Sequence, residues 1–94
     1  MLDFYLIKDD VKDSDHGISE LDYLGAIDYS EFQQLQNEKV IEDQHDYFKD
    51  FRWVNEQVTA KINQLEQIKA EGYKLIDILR KAKEQNCGVI AFAD

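Results

Sequence analysis

The most regular pattern of apolar and polar positions lies in the second half of the chain. Apolar side chains recur there at gaps of three and four residues, which is the spacing of one helix face: Val58, Ile62, Leu65, Ile68, Leu75, Ile76, Leu79 and Ala82. At about 100° per residue, this stripe keeps its phase across Gly72. The pattern therefore favours one long C-terminal helix over about residues 55–86, bent or broken at Gly72, rather than two independent helices.

A helix of that length would be out of proportion to the domain. At 1.5 Å per residue, about 33 residues extend for about 50 Å, whereas a globular domain of this size is about 30 Å across. An unbroken helix would overhang its sheet and expose part of its apolar stripe. We therefore expect either a break at Gly72 or a homodimer formed through the helix.

Three shorter stretches have the composition of strands. Residues 2–7 and 21–27 alternate in the manner of strands, although Gly25 weakens the second prediction. Residues 89–92 form a continuous apolar run after Gly88, which is typical of a buried strand. We expect this last strand to lie beside the first.

Asp28 and Glu31 have the spacing of a capping box, and they predict a short helix over about residues 29–38. The stretch before Asn55 is harder to interpret. Phe51-Arg52-Trp53 alternates like an extended segment, and we expect Trp53 to fill the core beneath the long helix.

These elements predict an α+β fold and a single domain over residues 1–94. A small sheet packs against the long C-terminal helix, and the short helix lies nearby. Eight side chains are expected to be buried together in its core: Phe4, Leu6, Ile62, Leu65, Ile76, Leu79, Ile90 and Phe92.

The charge of the chain is strongly acidic and unevenly distributed. Twenty acidic residues face eleven basic ones, for a formal net charge of −9. Residues 1–50 carry a balance of −10 and residues 51–94 a balance of +1, which together give −9. A protein with this charge repels nucleic acid, so its natural partners are cationic protein surfaces.

Cysteine content and apolar runs bear on the compartment. Cys87 is the only cysteine, so an internal disulfide cannot form. The first residues lack the basic segment and apolar run of a secretion signal. No apolar run approaches the roughly 20 residues that span a bilayer. We expect a soluble cytoplasmic protein that makes no membrane contact.

No pattern in the sequence indicates catalysis. Glycine-rich phosphate loops and nucleophile motifs are absent. Asp13 and Asp15 resemble the start of an EF-hand loop, but Gly17 comes one position early and Leu24 stands where glutamate should bind calcium. Cys87 follows a predicted helix C-terminus, where a thiolate is disfavoured. We expect no enzyme activity, no metal site and no cofactor.

The acidic excess is concentrated in residues 9–22 and 42–46, and two interpretations remain open. It can be a solvated surface that keeps the protein soluble, or a docking face for a basic protein. For docking, the acids would steer association and Tyr47 would be the aromatic anchor. The candidate partner-binding residues are Asp13, Asp15, Glu42, Asp43, Asp46, Tyr47 and Asp50.

Three segments carry a resemblance to a known group of proteins: Asp13-Ser14-Asp15, Glu42-Asp43 with Asp46-Tyr47, and the closing run Cys87-Gly88-Val89-Ile90-Ala91-Phe92-Ala93-Asp94. In these segments and in its overall character, the chain resembles the bacterial immunity proteins that neutralise a cognate toxin. The resemblance implies stoichiometric, non-enzymatic inhibition. An acidic face would cover the basic active-site cleft of a nuclease-like toxin domain.

Two alternatives accompany this interpretation. The first is a nucleic-acid mimic of the anti-restriction or anti-CRISPR type, which belongs to the same physical class. The second is a structural subunit that oligomerises through the long helix.

Overall fold

The computed structural model describes residues 1–12, 21–69 and 72–93, and within these residues four strands and three helices form one α+β unit. The elements are, in chain order, β1 (Leu2–Ile7), β2 (Asp22–Ile27), α1 (Tyr29–Asn37), β3 (Phe51–Trp53), α2 (Asn55–Gln67), α3 (Lys74–Glu84) and β4 (Gly88–Ala93). The expected α+β class is confirmed, with the three predicted strands and the short helix in place.

The four strands form one antiparallel sheet in the order β2-β1-β4-β3. β4 lies beside β1, as the sequence predicted. β3 is the three-residue segment that sequence reasoning identified only as extended. It pairs with β4 at the edge of the sheet, where Phe51 lies opposite Ala91 and Trp53 lies opposite Val89.

Two glycines permit close approaches between elements. Gly25 in β2 has a φ of +149°, and a Cβ at this position would lie 3.0 Å from Cγ1 of Ile78 on α3. The glycine therefore lets α3 pack directly on the backbone of β2. Gly88 begins β4, where a Cβ would collide with the carbonyl oxygen of Trp53.

The prediction of a long C-terminal helix is confirmed only in part, because the region forms two helices. α2 ends at Gln67, and Lys69 then adopts a left-handed conformation with a φ of 55° before α3 begins at Lys74. The two helices pack against each other and against the sheet. The break near Gly72 was one of our two alternatives. It lets both halves of the apolar stripe face the core.

The core lies between the sheet and the helices. It contains Leu2, Phe4, Ile27, Phe32, Leu35, Val40, Ile41, Trp53, Val58, Ile62, Leu65, Leu75, Ile76, Ile78, Leu79, Ala82, Val89 and Ala91. Leu6 packs against this cluster from a partly buried position. Trp53 is buried, as predicted.

The prediction placed Ile90 and Phe92 in this core, and that placement is wrong. Ile90 is buried on the opposite face of the sheet, and the half-buried Phe92 contacts Tyr5 there at 5.6 Å between ring centroids. Successive side chains of a strand point to opposite faces, so Val89 and Ala91 are the residues of β4 that face the helices.

Candidate protein-binding surface

A buried lysine holds the segment that connects α1 to β3. Lys61 on α2 is 4% exposed, and its Nζ donates to the Val40 carbonyl oxygen at 2.7 Å and to Glu42 Oε2 at 2.6 Å. The same ammonium lies 4.4 Å from the ring centroid of Trp53. A buried charge costs several kcal/mol unless such partners compensate it. The ammonium therefore ties residues 40–42 to α2.

Glu42 joins this lysine to two rings. Its Oε1 accepts a hydrogen bond from Nε1 of Trp53 at 3.2 Å and lies 3.2 Å from Nε2 of His45. The imidazole of His45 stacks on Phe51 with the ring centroids 4.3 Å apart. We refer to Glu42, His45, Trp53 and Lys61 as the polar cluster.

The pKa values of two groups in the polar cluster are shifted. Burial would raise the pKa of Glu42, but hydrogen bonds from Lys61 and from its own backbone, with the positive charge of Lys61, lower it below its ordinary value of 4.5. Burial lowers the pKa of His45 below 6.5; the charge of Glu42 opposes this shift and the charge of Lys61 adds to it. At neutral pH the carboxylate is therefore charged and the imidazole is neutral.

Gln36 on α1 also anchors the segment between α1 and β3, residues 38–50, which we call the connection. Its side-chain nitrogen donates to the carbonyl oxygens of Glu42 at 3.0 Å and of His45 at 2.7 Å. The connection is thus bonded to α1, to α2 and to the end of β3. Residues 43–48 are held on the surface by this framework.

Three aromatic side chains meet on this surface, and we call Tyr29, Tyr47 and Phe48 the aromatic patch. Phe48 is 69% exposed and Tyr29 is 51% exposed. Their rings are nearly parallel, at 26° and 6.2 Å between centroids, while Tyr47 stands almost at right angles to both. Tyr47 also contacts the buried Phe32, with 5.5 Å between the ring centroids, so the patch packs against the core.

A cavity of about 440 Å³ opens beside the aromatic patch. Asp43 and Asp46 line it, together with glutamine side chains of α1 and of the connection. None of the described residues that line it is a lysine or an arginine. The cavity therefore combines ring surface with negative charge.

The structure brings together three of the predicted partner-binding residues and places Glu42 and Asp50 elsewhere. Asp43, Asp46 and Tyr47 all line the cavity. Glu42 belongs to the polar cluster, where Lys61 holds it. The carboxylate of Asp50 accepts the backbone N–H of Ala93 at 2.9 Å, at the edge of the sheet. Asp13 and Asp15 lie outside the described residues.

The binding residues predicted from the sequence do not include Tyr29 or Phe48. Tyr29 is the first residue of α1, and its hydroxyl accepts a hydrogen bond from Gln33, one turn later on the solvent side. Since Phe32 and Leu35 are the buried residues of α1, the helix period could have placed Tyr29 outside the core. Phe48 lies in a loop, where no period exists to indicate exposure.

A second group of rings lies on the face of the sheet opposite the helices. Tyr5 contacts Tyr23 at 5.4 Å and Phe92 at 5.6 Å between ring centroids. Tyr23 is 58% exposed. It provides a matched control for substitutions in the aromatic patch, because it is an exposed ring in a different aromatic group.

The chain has no match among protein-family models, curated proteins or solved structures. Within the described ranges, no helix has both the length and the apolar character that a membrane span requires. Functional inference therefore depends on the geometry of the surface.

Proposed function

We propose that the protein is a non-enzymatic inhibitor of the immunity-protein type, which binds and neutralises a basic, nuclease-like toxin domain in the cytoplasm. The observation that carries this proposal is the aromatic patch beside two carboxylates. Exposed apolar surface bordered by polar groups is typical of protein interaction sites, and aromatic residues supply much of the binding energy at such sites.

The charge of the protein supports a basic partner. With a net charge of −9, the protein attracts a cationic surface over a distance comparable to the Debye length, about 8 Å at physiological ionic strength. Asp43 forms an ion pair with Lys39 at 3.1 Å, but both side chains are more than 70% exposed. A pair so exposed is weak, so Asp43 can exchange Lys39 for a cation of the partner.

The framework beneath the patch supports tight binding. Tyr47 packs on the buried Phe32, and the connection is fixed by Gln36 and Lys61. A surface that is already ordered loses little conformational entropy when a partner binds. An immunity protein needs this property, since it must capture its toxin before the toxin acts.

The alternative of a subunit that oligomerises through its helices has less support. That alternative depended on an exposed apolar stripe along one long helix. α2 and α3 instead direct their stripes into the core of the domain, where Ile62, Leu65, Ile76 and Leu79 are buried.

An immunity protein is expected to be encoded immediately downstream of its toxin, so the proposal is tested with the product of the gene immediately upstream. Its toxic domain is purified and titrated with this protein, and residual toxin activity is measured. We expect activity to fall linearly and to vanish at a molar ratio of one. Phe48→Ala should need an excess to inhibit, whereas Tyr23→Ala should match the wild type. Full activity of the toxin at a tenfold excess of the wild type would refute the proposal.

A further inference from the structure

We propose that the aromatic patch, with Asp43 and Asp46, is a receptor for one arginine side chain of the protein partner. This inference rests on the proposed function and gives the chemistry of its central contact. The cavity of about 440 Å³ beside the patch is the place where the guanidinium would lie.

The two exposed rings of the patch, Tyr29 and Phe48, offer aromatic surface to a cation. Tyr29 and Phe48 are nearly parallel, and Tyr47 stands at right angles to both. More than half of Tyr29 and of Phe48 is exposed, and both residues line the cavity, so part of each ring is open to a ligand. A cation within about 6 Å of a ring centroid is attracted by the negative face of the ring.

The two carboxylates complete the site. Asp46 Oδ1 accepts the backbone N–H of Phe48 at 2.9 Å, which fixes the carboxylate beside the backbone of Phe48, and both residues line the cavity. The other carboxylate oxygen of Asp46, Oδ2, takes no part in this hydrogen bond with the N–H of Phe48. Asp43 lines the same cavity and forms the exposed ion pair with Lys39. A guanidinium can stack on a ring while its in-plane N–H groups donate to carboxylates.

These features favour arginine over other ligands. The lysine ammonium is a compact and strongly hydrated charge that cannot stack on a ring, whereas the guanidinium is planar and less strongly hydrated. An anion would meet Asp43 and Asp46 and, among the described lining residues, no lysine or arginine. In the described part of the chain, no group of three or more His, Cys, Asp or Glu side chains is arranged to hold a metal ion.

The test is an NMR titration of the ¹⁵N-labelled protein with N-acetyl-arginine amide and with N-acetyl-lysine amide. We expect the arginine probe to shift the backbone amides of Tyr29, Tyr47 and Phe48 with a millimolar dissociation constant, and to bind more tightly than the lysine probe. Phe48→Leu keeps an apolar side chain but removes the ring. It should weaken arginine binding by about two- to fivefold, the loss of one exposed cation–π contact. Tyr23→Leu is the control and should leave arginine binding unchanged.

Equal binding of the two probes, or arginine binding that Phe48→Leu does not weaken, would overturn the inference. Shifts confined to the amides around Tyr23 would overturn it too. The outcome is independent of the toxin titration, because the probe needs no partner. Stoichiometric toxin inhibition without arginine binding at the patch refutes only this inference. Arginine binding without toxin inhibition refutes only the proposed function.

Discussion

Lys61 is 4% exposed, and its ammonium donates to Val40 and Glu42 of the segment that carries the binding surface and lies over the ring of Trp53. The helical period places Lys61 on the buried face, three residues after Val58 and four before Leu65. Its residue type argued for the surface, because lysine is almost never buried unless it is paired. Glu42 was expected to face a partner because it belongs to an acidic run. Its role as the partner of the buried Lys61 could not be predicted, because the sequence does not distinguish one acidic residue of such a run from another.

At the scale of single residues, the first prediction concerns the ion pair between Lys61 and Glu42. Lys61→Met should destabilise the fold by about 2–3 kcal/mol. This loss is somewhat smaller than the loss on breaking a fully buried ion pair, because the side chain of Glu42 is 37% exposed. Unfolding in urea measures the loss. The double variant Lys61→Met/Glu42→Gln should recover part of it, because it removes the uncompensated carboxylate. A double variant less stable than the single one would contradict the pairing.

The second prediction concerns stability against pH. The folded pKa of His45 lies below 6.5, so the unfolded chain binds the proton more readily, and stability falls as the pH drops from about 6.5. The folded pKa of Glu42 lies below 4.5, so its contribution is present above pH 4.5 and is lost on further acidification.

Urea midpoints measured from pH 7.5 to pH 5 test the contribution of His45. His45→Gln should flatten the dependence between pH 7 and pH 5.5. An equal slope in His45→Gln and the wild type would show that His45 does not titrate differently on folding.

At the scale of elements, a carboxylate of α1 caps the N-terminus of α3. The sequence predicted a reciprocal capping box between Asp28 and Glu31. Asp28 does accept the backbone N–H of Glu31 at 2.8 Å. The carboxylate of Glu31 instead accepts the backbone N–H groups of Lys74 at 3.1 Å and of Leu75 at 2.9 Å. The motif starts one helix and anchors another.

The third prediction follows from this contact. Glu31→Ala should cost about 1–2 kcal/mol, because it removes two hydrogen bonds and a negative charge from the positive end of α3. Glu38→Ala is the matched control, since Glu38 is an exposed acid at the other end of α1. Urea unfolding compares the two, and equal midpoints would contradict the capping role.

The sequence predicted most elements but not how they are joined. The apolar residues before and after Gly72 have the same spacing whether they belong to one helix or to two. The spacing alone therefore could not reveal the break between α2 and α3. The left-handed Lys69 is not a residue type that favours such a conformation. In β4, every position from Val89 to Phe92 is apolar, so composition could not indicate which alternate residues face the helices.

On the scale of the whole molecule, the described residues extend over 35 × 26 × 20 Å. The break between the helices brings the domain to this size, which is close to the width expected from chain length. The aromatic patch could not be predicted as a unit, because Tyr29 lies far in sequence from Tyr47 and Phe48. Only the folding of the connection against α1 brings them together.

The fourth prediction is that the protein is a monomer in solution. Seven of the eight stripe residues are buried within one chain, and Ile68 alone of them is exposed, at 38%. The described part of the two helices therefore offers too little apolar surface to require a second copy. Light scattering coupled to size-exclusion chromatography should give a mass near 11.1 kDa at low and high salt alike. A stable dimer of about twice that mass would contradict this account of the helices.

The central claim is that the aromatic patch anchors a basic protein partner and the nearby acids steer it. The most direct measurement is biolayer interferometry against the toxin domain at two salt concentrations. Phe48→Ala should speed dissociation at least about tenfold with little change in the association rate, and Tyr23→Ala should do neither. Asp43→Asn/Asp46→Asn should slow association and reduce its salt dependence. Dissociation unaltered by Phe48→Ala, with association by the wild type independent of salt, would contradict the account.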